Sequence, residues 1–311
     1  MSDVMGMGVV GAGAIALRCP LAHLSVEDVQ DRVRLAAVCD PFPGRAKAAA
    51  ERFGVPAAYE TFEELLGDPN VDAVTLCSPI GLHHEQGLAA IRAGKHVHFN
   101  KTMAIRAADC TEMMDLAAEK GVRLVASPGQ MLQPHNRRIR KKLLAGDLGR
   151  VLWAICGGGP DTYHLEQEQD FRGGDDVLSN VDPSWYFQKP GGGPMWDVIV
   201  YHLHALTGLL GPARRLTALS GLALPERTWR GKSIPCEMDD STFILLDFGQ
   251  SLFAVAFGAV TGTVTVHFQP TIFGTQGMVR GTAFNGEEMR REGDHLPHVV
   301  GRHAKLPEAH V

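Results

Sequence analysis

Four side chains in two separate stretches of the sequence could hold or move a proton together. Lys101 follows the strand-like run 95–99, and Asp197, Tyr201 and His204 recur at spacings of four and three residues. Those spacings place the last three on one face of a helix. A carboxylate, a phenol and an imidazole on an otherwise apolar face are costly to bury without polar partners. A capping Asp beside a core Tyr and His would give the same pattern, so a purely structural role stays open.

A glycine-rich turn near the start of the chain is typical of dinucleotide binding. Residues 7–10 predict a strand, and the pattern Gly11-x-Gly13-x-x-Ala16 follows it where helical spacing begins. Gly11 permits a sharp turn, and Gly13 lets the backbone approach a pyrophosphate held by the N–H groups of the next helix. The turn residues that we expect to bind the cofactor are Gly11, Gly13, Ala14 and Ile15.

An acidic residue ends the next predicted strand, Val33–Cys39. At the tip of this strand, Asp40 can accept hydrogen bonds from both hydroxyls of an adenosine ribose. Its charge repels a 2′-phosphate, so the sequence favours NAD, with NADP less favoured. A glycine-rich turn followed by a helix-capping Asp would look similar and is the structural alternative.

Residues 1–127 alternate strands with helices, which predicts a dinucleotide-binding domain built on a doubly wound parallel sheet. Further helices are predicted at 44–53, 61–66, 83–93 and 106–120, and further strands at 71–77, 95–99 and 122–126. Ligands of such sheets bind at the carboxyl ends of the strands. The residues that follow predicted strands are Gly11, Asp40, Ser78, Pro79 and Lys101. One cofactor could therefore contact all of them.

The pattern changes after about residue 128, and residues 128–311 predict a second, α+β domain. Helices at 136–145 and 195–210 and a strand at 151–156 are joined by runs of β character at 215–222, 242–248, 252–259, 263–268 and 278–284. Consecutive strands separated by glycine turns indicate an open, mostly antiparallel sheet with helices on one face. The other face is then available to a second copy, so we expect a homodimer or homotetramer through this sheet.

The composition limits the surroundings and partners of the chain. Its 311 residues, 45% of them hydrophobic, can bury a large core, and a net charge of -5 with interspersed signs gives no argument for nucleic acid or a membrane surface. The six cysteines lack a Cys-x-x-Cys, and the 14 histidines lack zinc-ligand spacing, so we expect reduced thiols and no metal. Without a basic leader or an apolar run of bilayer length, the sequence predicts a cytoplasmic protein.

These motifs resemble those of the Gfo/Idh/MocA family, the group of glucose-fructose oxidoreductase and inositol dehydrogenase. The resemblance is carried by the segments 11–16, 78–83, 93–101 and 191–197, together with Tyr201. It implies a Rossmann domain followed by a substrate-binding domain, and an NAD(P)-dependent dehydrogenase or reductase acting on sugars, cyclitols or their derivatives. Lys101 stands where the family has its catalytic lysine, and Asp197 where it has its helix aspartate. Tyr201 stands where many members have histidine.

The resemblance also places His83 near the cofactor. Around the lysine the family usually reads Glu-Lys-Pro, whereas this chain has Asn100-Lys101-Thr102, which keeps the amine but loses a carboxylate and a constraint on φ. Asn100 could still bond the nicotinamide ribose or carboxamide. Ile199 occupies a position that is often glycine in the family, so we expect different helix packing at the substrate cleft.

The hypothesis for the chemistry is hydride transfer between C4 of nicotinamide and a secondary carbinol. Lys101 would hydrogen-bond the carbinol oxygen and stabilise the developing alkoxide, with Asp197 in support. Tyr201, with His204, would take the hydroxyl proton. The loop before the triple glycine offers stacking surface and donors for a polyol, from Tyr163, His164, Asp182, Trp185 and Tyr186. Loop aromatics equally can fill a hydrophobic seam.

Two other functions stay open at this point. An enzyme of the same fold could oxidise a sugar carbon transiently, eliminate a glycoside and regenerate its cofactor, in which case no net NADH accumulates. A non-catalytic protein could bind a nucleotide and sense redox state or a ligand. Asn100 and Thr102 favour the sensor, whereas Lys101, Asp197 and Tyr201 together argue against it.

Overall fold

The computed structural model describes residues 4–159, 172–259, 268–292 and 294. These residues form two compact units. Residues 4–127 belong to the first unit, and the second unit begins at Pro128. The stretch 172–183 also belongs to the first unit, so the chain crosses between the units more often than a single boundary after residue 127 implies.

A parallel sheet of six strands forms the centre of the first unit. Its strands are β1 (Met5–Val10), β2 (Val33–Cys39), β3 (Ala57–Tyr59), β4 (Ala73–Leu76), β5 (His96–Phe99) and β6 (Leu124–Ala126). They pair in the order β3-β2-β1-β4-β5-β6, which confirms the predicted doubly wound sheet. The chain winds outward from β1 in one direction and then from β4 in the other, so a ligand crevice is expected at their carboxyl ends.

Helices of the first unit join these strands. They are α1 (Ala14–Arg18), α2 (Pro20–Leu24), α3 (Arg45–Phe53), α4 (Phe62–Gly67), α5 (His83–Arg92) and α6 (Ala107–Lys120), with 3₁₀ turns at Glu27–Val29 and Ile80–Leu82. The helix after the glycine turn is short because Pro20 cannot continue it and instead begins a new one. A Cβ at Gly87 would lie 2.9 Å from the ring of Phe99, so only glycine lets α5 pack this closely against β5.

An eight-stranded sheet dominates the second unit. Its strands are β7 (Val151–Gly158), β8 (Arg215–Gly221), β11 (Ser241–Gly249), β12 (Leu252–Gly258), β13 (Thr271–Gly274), β14 (Gly277–Arg280), β15 (Ala283–Phe284) and β16 (Glu287–Glu288), while β9 (Glu226–Trp229) and β10 (Lys232–Pro235) form a separate hairpin. The order is β16-β15-β14-β13-β7-β12-β11-β8. Among the described strands of this sheet, only the β7–β12 pair is parallel, so the predicted mostly antiparallel sheet is confirmed.

The described helices of the second unit are α7 (Pro134–Ala145), α8 (Pro194–Asp197) and α9 (Ile199–Leu210), with 3₁₀ turns at Gln130–Leu132 and Ser184–Phe187. The helix predicted over 195–210 is present but is interrupted at one residue, Val198 (φ −113°, ψ −52°), which divides it into α8 and α9. The run predicted at 278–284 is two short strands, β14 and β15. Of the strand predicted at 263–268, residues 263–267 lie outside the described residues.

The two faces of the eight-stranded sheet differ in what covers them. Helix α9 packs on β7 and β12, and the side chains beneath it, such as Ala154, Ala254 and Ile244, are buried. The opposite face carries large apolar side chains that stay exposed, including Trp153, Phe243, Leu245 and Phe253. Within the described ranges, no helix combines the length and apolar character that crossing a membrane requires.

Replacing Thr61 by Ala is expected to lower the free energy of unfolding of the first unit by about 1 kcal/mol. Thr61 Oγ1 accepts from Glu64 N at 3.3 Å, and Glu64 Oε2 accepts from Thr61 N at 3.2 Å, which closes a reciprocal cap at the start of α4. Urea unfolding measures the change. Thr111→Ala, inside α6 where no cap is lost, is the control, and an equal loss in both variants would contradict the assignment.

Candidate active site

Polar and glycine residues follow four neighbouring strands of the parallel sheet at one edge. Val10 is level with Cys39 on β2 and with Leu76 on β4, and Leu76 is level with Phe99 on β5. The residues that come next in the chain are Gly11, Asp40, Cys77 and Asn100, followed by Ser78 and Lys101. The parallel register therefore gathers the predicted cofactor-binding residues of the first unit along one edge.

The glycine turn has the geometry that a dinucleotide needs. Gly11 has φ +86°, and a Cβ there would lie 3.2 Å from the backbone of Cys77 and Ser78, so the turn passes too close to β4 for a side chain. Gly13 is the N-cap residue of α1 and supplies no capping side chain, and a Cβ on it would meet only Val181, at 3.7 Å. Because the first turn of α1 lacks a capping side chain, its N–H groups suit a phosphate. Ala14 is buried and Ile15 half-buried in this turn.

Asp40 ties the end of β2 to the glycine turn. Its carboxylate accepts from the backbone N–H of Ala12 at 2.8 Å and of Phe42 at 2.9 Å. A carboxylate can accept about four hydrogen bonds, so capacity remains for the hydroxyls of a ribose. The side chain is 6% exposed and fixed in place before any ligand arrives.

Arg45, at the start of α3, is buried next to Asp40. Its Nη1 lies 3.7 Å from Asp40 Oδ1, and its Nε donates to Val177 O at 3.0 Å. Nη2 donates to Asn180 Oδ1 at 3.2 Å. Burial lowers the pKa of Arg45, and the Asp40 carboxylate opposes that shift. The stretch 172–183 that anchors this arginine carries no motif, so the sequence alone gave no signal for it.

His83 bridges the two turns that follow β4 and β5. The ring is fully buried, with Nδ1 2.7 Å from Thr102 O and Nε2 3.1 Å from Ser78 O. Burial lowers the pKa of His83, the two carbonyl contacts oppose the shift, and the nearby Lys101 ammonium adds to it. A neutral imidazole can donate to only one of these carbonyls. His83 therefore holds the turn that carries Lys101 rather than presenting a free nitrogen.

The segment around Lys101 is held mainly by the backbone. Asn100 N donates to Leu76 O at 3.1 Å, and Asn100 Nδ2 lies 3.8 Å from Cys77 Sγ. Burial raises the pKa of Cys77 to about 12, so its thiol stays protonated and is no nucleophile. Lys101 is half-buried, and the peptide bond between it and Thr102 is cis. Ser78 Oγ donates to Gln86 Oε1 at 2.5 Å, which fixes the turn ahead of Pro79.

The triple glycine of the second unit sets the position of Asp197. Gly193 has φ +88°, and a Cβ there would lie 2.9 Å from the backbone oxygen of Asp239, so glycine is favoured at this position. Its carbonyl accepts from Asp197 N at 3.0 Å, and the Asp197 side chain is 9% exposed. Tyr201, on α9, stacks on Phe268 at 4.4 Å between ring centroids. Asp197 and Tyr201 stand on either side of the one-residue interruption at Val198, between α8 and α9.

The two histidines of α9 differ in their surroundings. His202 is buried, its Nδ1 lies 3.0 Å from Phe257 O, and burial lowers its pKa to about 4, so the ring is a neutral core residue. His204 Nδ1 is also buried but has no hydrogen-bond partner among the described residues. A buried nitrogen without a partner is unfavourable, which is consistent with a polar ligand at His204.

Predicted residues on the substrate side are only partly described. Trp185 lies in the 3₁₀ turn Ser184–Phe187, edge-on to Tyr186 at 5.7 Å. Asp182 belongs to the first unit and Trp185 to the second. Tyr163 and His164 lie outside the described residues. Across the described part of the chain, no three His, Cys, Asp or Glu side chains form a metal-binding cluster.

Comparisons with known proteins agree with this architecture. Residues 5–127 match the model of an oxidoreductase family with an NAD-binding Rossmann fold, and residues 136–280 match the GFO/IDH/MocA C-terminal domain. A trans-1,2-dihydrobenzene-1,2-diol dehydrogenase from Mus musculus is 26% identical over 275 residues, covering 88% of this chain and 73% of that protein. A dTDP-3,4-didehydro-2,6-dideoxy-alpha-D-glucose 3-reductase from Streptomyces violaceoruber is 33% identical over 229 residues, covering 72% of this chain and 59% of that protein.

Solved structures share the fold. Levoglucosan dehydrogenase, in complex with NADH and levoglucosan, superposes with a TM-score of 0.71 at 21% identity and covers 88% of this chain and 72% of that one. A 3-ketoreductase from Actinomadura kijaniata, solved in complex with NADP, superposes with a TM-score of 0.67 at 23% identity. The match to the second curated relative spans less than two thirds of its length. Since the two family models together match residues 5–127 and 136–280, the chain belongs to the Gfo/Idh/MocA family of oxidoreductases.

Proposed function

We propose that this chain is an NAD(P)-dependent dehydrogenase or reductase that interconverts a secondary hydroxyl and a ketone on a sugar, a cyclitol or a sugar derivative. The observation that carries the proposal is the single sheet edge at which the Gly11 turn, Asp40 and Lys101 follow parallel strands. Membership of a family with an NAD-binding Rossmann fold supports the same chemistry. The names of relatives and neighbours, which include a deoxyglucose reductase and levoglucosan dehydrogenase, support the substrate class.

The cofactor's binding residues are those of the first unit. The turn at Gly11, Gly13, Ala14 and Ile15 holds the pyrophosphate, and Asp40 accepts from the adenosine ribose. Ser78, Pro79, His83 and Asn100 shape the nicotinamide end. Bound NAD(P) accepts or supplies hydride at C4 of its nicotinamide, and every proton is handled by the protein.

The proton chemistry belongs to Lys101, Asp197 and Tyr201. Lys101 donates a hydrogen bond to the carbinol oxygen and stabilises the alkoxide that develops there. Asp197 orients Lys101. Tyr201 takes the hydroxyl proton as its own phenolic proton leaves, and His204 is the second group of this relay. Trp185 is proposed to contact the substrate, and His164 stays a prediction from the sequence.

The cofactor preference follows from the charges at the end of β2. Asp40 repels a 2′-phosphate and favours NAD. Arg45 lies 3.7 Å away and could receive such a phosphate, but its Nε and Nη2 are already engaged by Val177 and Asn180. NAD is therefore the preferred cofactor, and NADP the weaker one.

The exposed face of the eight-stranded sheet suits a second copy of the chain, giving a homodimer or homotetramer. Trp153, Phe243, Leu245 and Phe253 stand on that face at 42–49% exposure, an unusual density of large apolar groups for a solvated sheet. The cytoplasm is the proposed location, because the six cysteines are thiols and not disulfides.

Substitution of Lys101 by Met is expected to lower turnover by about 10²- to 10⁴-fold while NADH still binds, because the alkoxide loses its cationic donor. Turnover is followed at the nicotinamide absorbance against a panel of sugars and polyols, and NADH binding by its fluorescence. Lys120→Met, on the exposed end of α6, is the control. Unchanged turnover in Lys101→Met would disprove the role, and absent net NADH with product formation would indicate a closed redox cycle.

Substitution of Asp40 by Ser is expected to shift the ratio of NADPH to NADH affinity by about tenfold or more in favour of NADPH. The variant removes the repulsive carboxylate and leaves Arg45 without its acidic neighbour. Calorimetric titration with both cofactors gives the ratio, and Glu60→Ser serves as an exposed acidic control. An unchanged ratio would exclude Asp40 from the ribose site.

Substitution of Leu245 by Glu is expected to convert the oligomer to a monomer, since a charge would be buried at the centre of the apolar face. Light scattering after gel filtration measures the mass. Met114→Glu, which charges an apolar side chain exposed on α6, leaves the mass unchanged. A monomeric parent protein, or an oligomer unaffected by Leu245→Glu, would rule out this interface.

A further inference from the structure

A cavity of about 460 Å³ opens in the second unit beside α7 and the end of α9. Its lining consists of Met131, Arg137, Arg140, Lys141, Leu144 and Gly208. Half of these residues are cations and none is acidic. The volume is within the range of small-molecule sites, and none of the residues has a part in the proposed hydride transfer.

Both guanidinium groups at this cavity are fixed by the backbone through one nitrogen. Arg137 Nε donates to Met131 O at 2.9 Å, and Arg140 Nε donates to Gly208 O at 3.0 Å. No hydrogen bond within the described ranges uses their terminal Nη atoms. Each exposed guanidinium group is therefore held through its Nε, and its outer donors remain available to an oxyanion.

The charges around the cavity lack the acidic partners that their neighbours have. On the same helix, Arg138 pairs with Asp294, and Lys142 lies 3.6 Å from Asp147 Oδ2. Arg137, Arg140 and Lys141 have no carboxylate within ion-pair distance in the part of the chain that the structure describes. Like charges three and four residues apart on one helix repel each other. An anion seated among them would relieve this repulsion.

The apolar wall of the cavity depends on Gly208. A Cβ at this position would lie 2.4 Å from Met131 Cγ, so glycine allows Met131 to pack against α9. Gly208 also supplies the carbonyl that anchors Arg140. Leu144 is 70% exposed on the other side and adds apolar surface. The cavity thus combines a cationic rim with a place for an uncharged part of the same ligand.

We infer that this cavity binds a small organic molecule through a phosphate or diphosphate group. Arg137 and Arg140 donate hydrogen bonds from their Nη atoms to the anionic oxygens, and Lys141 adds a positive charge. Met131 and Leu144 contact the carbon skeleton that bears the phosphate. The site is built entirely from the second unit and does not depend on the proposed hydride transfer.

The test is calorimetric titration of the full chain with inorganic pyrophosphate, in the presence of saturating NADH. Arg137→Gln/Arg140→Gln is expected to weaken pyrophosphate binding by about tenfold or more. Arg92→Gln/Lys120→Gln removes two exposed cations from the first unit and leaves the affinity unchanged. If pyrophosphate does not bind the parent protein, or both double variants lose affinity equally, the site is disproved.

A conservative variant distinguishes recognition by the arginine side chain from general attraction to positive charge. Arg137→Lys keeps the charge but loses both the Nε anchor and the fork, so we expect its affinity to fall between those of the parent protein and the double Gln variant. Affinity equal to that of the parent would contradict bidentate recognition. A lipid headgroup is the other source of a phosphate: sedimentation with phosphatidylglycerol vesicles but no calorimetric binding of pyrophosphate would overturn the small-molecule assignment.

Discussion

The parallel register of β1 with β2 and β4 is the constraint on which the candidate site of the first unit depends. Parallel strands end at the same edge, so residues far apart in sequence, such as Gly11, Asp40 and Lys101, follow strands that finish level with one another. Gly11 then passes so close to the end of β4 that no side chain fits. The hydrogen bond from Ala12 to Asp40 joins the first two of these turns directly. The glycine turn and the acidic residue are thus one structural unit.

Sequence patterns predicted the first unit well where periodicity was strong. The strand Val33–Cys39 is confirmed to the residue, and the helix predicted at 61–66 is found at Phe62–Gly67. The strand Ala57–Tyr59 was missed because three residues are too short to show alternation. The hairpin of β9 and β10 was missed because its strands are polar and lie outside the main core.

Site residues were harder to predict where they depend on contacts distant in sequence. Arg45 has the spacing of a solvated helix residue, and only the return of 172–183 to the first unit buries it beside Asp40. No proline marks the interruption at Val198. The residues on both sides of it therefore have the sequence pattern of one continuous helix. Local sequence determines helix and strand propensity, whereas these two features depend on tertiary packing.

Two proposed catalytic side chains are positioned by different parts of the second unit. Asp197 is fixed through the carbonyl of Gly193, where φ is +88° and a Cβ would lie 2.9 Å from the backbone oxygen of Asp239. Tyr201 is fixed by stacking on Phe268 and by the packing of α9 on β7 and β12. The carboxylate is therefore positioned through the glycine turn, and the phenol through the helix face that packs on the sheet.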